Sequence, residues 1–133
     1  MLVLVLGFTM VLTLMVGVVV NVSAAALARR AVAGAADGAA VAAAQALDEQ
    51  ELYRTGLTGE RLPLSQAEAR QRVADYSRLA AVAQPGLRMS VTVDGATATV
   101  IAVRDVALPF GRLVGLRPLQ VRATARARSP LLP

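Results

Sequence analysis

From Met1 to Ala28 the chain carries no charged side chain. Within that stretch Leu2 to Val20 is almost wholly aliphatic, and its only polar residues are Thr9 and Thr13. A helix needs about 20 apolar residues to cross about 30 Å of hydrocarbon. Threonine hydroxyls are tolerated in such a helix because each can bond back to a carbonyl of the preceding turn. A chain of 133 residues has too little protein to surround so long an apolar rod. The segment therefore reads as a membrane span over about residues 2–24. A secretory signal cut near Ala26 is the competing reading. It lacks a basic start, and its apolar run exceeds the usual 7–15 residues of a signal.

Arg29 and Arg30 end the charge-free run, and an alanine-rich segment follows to Leu47. Alanine is the best helix former and no proline intervenes, so the helix is expected to continue to about residue 51 as a thin stalk. Gly34 and Gly38 stand in G-x-x-x-G spacing, with Ala31, Ala35 and Ala42 near the same face. Such a face lets another helix approach closely. Arg30 and Asp37 lie seven residues apart, on nearly one side and two turns removed. They are therefore candidates for a pair between neighbouring helices, with two solvated charges as the plainer reading.

Residues 52–64 read as a linker, where Gly56, Gly59 and Pro63 break any helical pattern. A small head follows over residues 65–133. Ser65 and Glu68 form a capping box for a helix from about Gln66 to Ala83, with Ala69, Val73, Tyr76, Ala80 and Ala83 on its buried side. Leu87 to Val93 alternates with period two, Asp94-Gly95 signals a two-residue turn, and Ala96 to Val103 returns. That turn pairs Val93 with Ala96, Val91 with Ala98 and Met89 with Val100. A third strand, Gln120 to Arg128, alternates small apolar residues with Arg122, Thr124, Arg126 and Arg128. Its alanine row leaves room for the helix from Gln66 to lie close. The fold class is α+β: a long N-terminal transmembrane helix extended as an alanine-rich stalk, then one helix on a three-stranded antiparallel sheet. The segment around Leu108, Phe110 and Leu113 is apolar for a loop. It either caps the thin core or docks on a partner or membrane surface. Arg122 and Arg126 form a solvated outer face or a second docking surface.

The chemistry that the residues exclude is broad. There is no Cys and no His, which removes disulfides, thiol catalysis and the commonest metal ligands. No nucleophile–base pair or phosphate-cradling loop appears, so neither catalysis nor a cofactor nor a small-molecule substrate is expected. Fourteen arginines against nine acids give a net charge of +5. With no Trp and four other aromatics there is no stacking platform, and nucleic acid is not an expected partner.

The order of these features, Val18 to Leu47 above all, resembles the N-terminal segment of TadE/TadG-like proteins of the Flp (Tad) pilus system. That family shows an apolar span, an Arg-rich turn and then an alanine run containing Asp. Arg29, Arg30, Ala35, Ala36, Asp37, Ala39, Ala40 and Ala43 fall on the matching positions, while Asn21 stands where the family often has Asp. The hairpin, the Leu-Pro-Phe loop and the last strand are also similar to the TadE type.

The resemblance implies a pseudopilin or minor pilin without enzyme activity, held in the cytoplasmic membrane by one span with its head outside. Its partners would be the lipid bilayer and other pilin or Tad assembly proteins. Arg29 and Arg30 alone would place the head inside by the positive-inside rule. The family usually carries a short basic segment and a glycine ahead of the span, and a segment of that kind upstream of Met1 would restore the family's orientation. Two other readings stay open: a membrane-anchored accessory protein of a secretion or envelope complex outside any fibre, and the secreted protein cut near Ala26.

Overall fold

The computed structural model describes residues 1–54, 64–95, 97–111 and 115–128, with side chains at all of these except 47–54 and 64–65. The first helix, α1 (Leu2–Arg54), is unbroken through the apolar and alanine-rich segments alike. Thr9 Oγ1 donates to the Val5 carbonyl and Thr13 Oγ1 to the Thr9 carbonyl, each at 2.8 Å. The two polar groups of the apolar run are thus satisfied within the helix, as a hydrocarbon environment requires. The linker expected over residues 52–64 falls mostly on residues 55–63, which lie outside the described ones.

The second helix is α2 (Leu64–Ala83). Its expected cap at Ser65 is among the side chains not described. Three strands follow, β1 (Arg88–Asp94), β2 (Thr97–Val106) and β3 (Leu119–Arg128), and they form one antiparallel sheet in the order β1-β2-β3. The hairpin register differs from the sequence expectation. Asp94 pairs with Thr97, Val93 with Ala98, Val91 with Val100 and Met89 with Ala102. The turn begins at Gly95, whose φ of 55° is a left-handed conformation that glycine adopts without a Cβ penalty. The slip amounts to two residues, so every side chain keeps its face.

Both helices lie on one face of the sheet. α1 packs against β2, β3 and α2, while α2 packs against β1 and α1. The alanine row of β3 therefore receives α1, not α2 as the sequence reading had it. The reason is bulk: α1 brings Ala28, Val32, Ala35, Ala36, Ala39, Ala40 and Ala43 to the core, against Ala98, Val100, Ala102, Val121 and Ala125 of the sheet. Alanine facing alanine brings backbone close to backbone. Val32 and Val100 are the largest fully buried side chains. On α2, Ala69 and Val73 are buried and Tyr76 and Ala80 pack beside them, but Ala83 is exposed. Gln84-Pro85-Gly86 turns the chain away there, with Gly86 at a φ of 81°.

Candidate functional site: the two faces and two halves of the first helix

α1 has two lengths of different character. From Met1 to Val20 every residue is exposed except Gly17, which is half-buried. Among the described residues this is the one helix long and apolar enough to cross a membrane. From Ala28 onward the helix has sides. The seam Ala28, Val32, Ala35, Ala36, Ala39, Ala40, Ala43 is buried in the head. The opposite side carries Leu27, Arg30, Gly34, Asp37, Val41 and Gln45, all exposed, at the three- and four-residue spacing of one helical stripe.

Between seam and stripe runs the flank that meets α2. Tyr76 lies over Gly38: a Cβ at that glycine would collide with the phenol oxygen and stand 2.8 Å from Cζ. Seven residues earlier on α1, the Ala31 carbonyl accepts a bond of 3.2 Å from Gln84 Nε2. The two helices are therefore antiparallel, in contact from Gly38 down to Ala31. The Gln84 Oε1 beside that bond is buried with no partner among the described residues.

The five small residues of the expected packing set take different places. Ala35 is buried, Ala31 and Ala42 are half-buried, Gly38 sits under Tyr76, and Gly34 is exposed with nothing within 4 Å of its Cβ position. Arg30 and Asp37 are both exposed and form no ion pair with each other or with another described residue. Their seven-residue separation is about 10 Å along the axis, out of reach within one helix.

The sheet's outer face is the second candidate surface. Arg122 and Arg126 are exposed on β3, opposite Val103 and Thr99 of β2. Near its lower end Asp105 accepts from Arg88 Nη2 and from Gln120 Nε2, each at 3.3 Å, so part of that face is neutralised. The third surface is the segment between β2 and β3. Leu108 is half-buried and Phe110 is 41% exposed, while Leu113 lies outside the described residues. Leu108 and Leu116 line an apolar cleft with Ala107 and Pro118. The Phe110 backbone N–H donates to Asn21 Oδ1 at 3.1 Å. Sequence reasoning passed over this bond, although Asn21 is the only amide side chain in the charge-free stretch.

Among the described residues no group of three or more His, Cys, Asp or Glu is placed to hold a metal ion. No curated protein and no solved structure matches the chain. The family model described as putative Flp pilus-assembly TadE/G-like does match, over residues 1–46, so the likeness takes in both the bare apolar length of α1 and its two-sided length up to Ala46.

Proposed function

We propose that this chain is a non-enzymatic, pseudopilin- or minor pilin-like component of Tad-type pilus assembly. Residues 1–20 anchor it in the cytoplasmic membrane, and the head lies on the outer side. One observation carries the reading. The match to a pilus-assembly family covers a helix that is bare over a bilayer's length and then keeps one stripe uncovered by its own head. An exposed polar stripe is ordinary for a helix packed on a domain; the bare apolar length is what the head's own fold does not need.

The stripe is where a neighbouring helix packs. Gly34 lets the backbones approach, and Leu27 and Val41, 65% and 51% exposed, flank it. Arg30 of one copy then lies within reach of Asp37 of the next when the copies are offset by about two turns. An exposed pair contributes only ~0–1 kcal/mol; between packed helices its desolvation offsets the stronger attraction, and it acts mainly by making a register that leaves either charge unpaired costly. Gly34→Leu tests the packing: the head should fold normally while pili fail to form or become sparse. Normal piliation in that variant would refute the packing claim.

The outer arginine face supports a second reading, an anchored accessory protein that docks an acidic envelope partner through Arg122 and Arg126 and stays out of the fibre. Sheared filaments separate the two, since a fibre component copurifies with them and an accessory protein remains wholly in the membrane fraction.

A further inference from the structure

We infer that the connection from β2 to β3, through its described residues 107–111 and 115–118, is a foot that rests on the lipid surface at the level of Asn21 and sets how deeply α1 inserts. The inference rests on the reading of residues 1–20 as a membrane span.

Its first support is the bond between the Phe110 N–H and Asn21 Oδ1, which ties positions 89 apart in sequence. The bond fixes the height of the segment on α1. Below it, Leu2–Val20 has no buried residue. Nineteen residues at about 1.5 Å each give about 28 Å, close to the ~30 Å of bilayer hydrocarbon. The head thus stops covering α1 where a bilayer's length of helix begins, and the foot is what stands at that edge.

Its second support is what the segment displays. Phe110 is 41% and Leu116 54% exposed, and Pro109, Arg117 and Pro118 are exposed beside them. The backbone is folded on itself, with Gly111 N–H donating to the Leu108 carbonyl at 3.1 Å and Leu116 N–H to the Gly111 carbonyl at 2.8 Å. A Cβ at Gly111 would stand 3.0 Å from that of Leu108, so the turn is closely packed at this position. With the Phe110, Gly111 and Leu116 amides engaged, these exposed side chains are what this surface offers. An aromatic ring and aliphatic groups beside a guanidinium suit the headgroup–acyl boundary: the apolar groups enter the acyl margin while the arginine reaches phosphate. Partly exposed apolar groups facing water at the same height would gain nothing comparable. The geometry is the same whichever side of the membrane the head occupies.

The chain has no Trp, so one substitution supplies a unique fluorophore. Phe110→Trp, Val82→Trp and Leu12→Trp are each made in the full chain and reconstituted into vesicles of phosphatidylcholine and phosphatidylglycerol. Val82 is 85% exposed, and its neighbour Gln84 meets α1 at Ala31, about 15 Å above Asn21. The expected result is blue-shifted Phe110→Trp emission, quenched several-fold more by lipids brominated near the glycerol end than by lipids brominated at mid-chain. Val82→Trp should stay quenchable by aqueous iodide, and Leu12→Trp should answer to the mid-chain bromines. Quenching of Leu12→Trp without quenching of Phe110→Trp overturns the foot while leaving the span intact. Failure of both overturns the span reading as well. Blue-shifted Phe110→Trp emission that persists in detergent and ignores brominated lipid would assign the segment to a protein neighbour and equally overturn the proposal.

Discussion

The two halves of α1 are built from the same kind of residue and do opposite things with it. Met1–Val20 is apolar on all sides and buries nothing within the chain. Ala28–Ala46 is smaller and less apolar, yet it supplies seven of the fifteen buried residues of the core cluster. What separates them is volume. Valine and leucine on every side of a helix prevent close approach by a sheet and suit a fluid solvent of acyl chains. Alanine along one seam lets the sheet's own alanines come near, and dispersion between closely spaced atoms then replaces the large side chains that this core lacks. A chain with 3% aromatic content makes its head cohesive through proximity.

This contrast predicts that equal changes have unequal effects in the two halves. The largest effect belongs to Gly38→Leu, which drives a side chain into Tyr76. Unfolding of the full chain by urea in detergent micelles should show the head destabilised by about 3 kcal/mol, and adding Tyr76→Ala should restore part of the loss. Gly7→Leu, with nothing within 4 Å, should leave the same transition in place. Equal effects at the two glycines would break the comparison.

Next in size is Val100→Ala. Val100 is fully buried between sheet and helices, and its truncation should cost about 2 kcal/mol through lost contacts and a small cavity. The same change at Val11, which is 60% exposed, should not move the unfolding midpoint in micelles. Smaller again is Asn21→Ala, at the junction of the halves. It removes the acceptor of the Phe110 N–H and should cost about 1 kcal/mol, read as faster amide hydrogen exchange at Phe110. The smallest effect on stability is that of Gly34→Leu, within about 0.5 kcal/mol of the parent because the position is open and helical. Its consequence should appear only in assembly.

Much of this fold was legible in the sequence because two periods are strong in it. The charge-free run gave the long apolar helix, and alternation over Arg88–Asp94 and Leu119–Arg128 gave the strands and their faces. The hairpin register was not legible. Asp94-Gly95 and Gly95-Ala96 are both two-residue turns with glycine, and a slip of two leaves the apolar pattern unchanged. Nor could the sequence say which helix covers β3. A row of small residues on a helix reads the same whether it awaits a neighbouring copy or the chain's own strands. Ala31, Gly34, Ala35, Gly38 and Ala42 illustrate this, since one flank of the set meets α2 at Gly38 and Ala31 while Gly34 remains open. The Asn21–Phe110 bond was hidden for a different reason. A single amide beside an apolar run has no periodicity, and its partner is a backbone N–H that leaves no trace in composition.

In the proposed fibre the open stripe of α1 is the surface that meets neighbouring copies. The chain has no cysteine, so Val41→Cys places one thiol on that stripe. It should react readily with a membrane-impermeant maleimide in protein from disassembled membranes, and should be protected at least tenfold in sheared pili that contain the chain. Equal labelling in both preparations would contradict the account, because the stripe would then face water in the fibre as it does in the single chain.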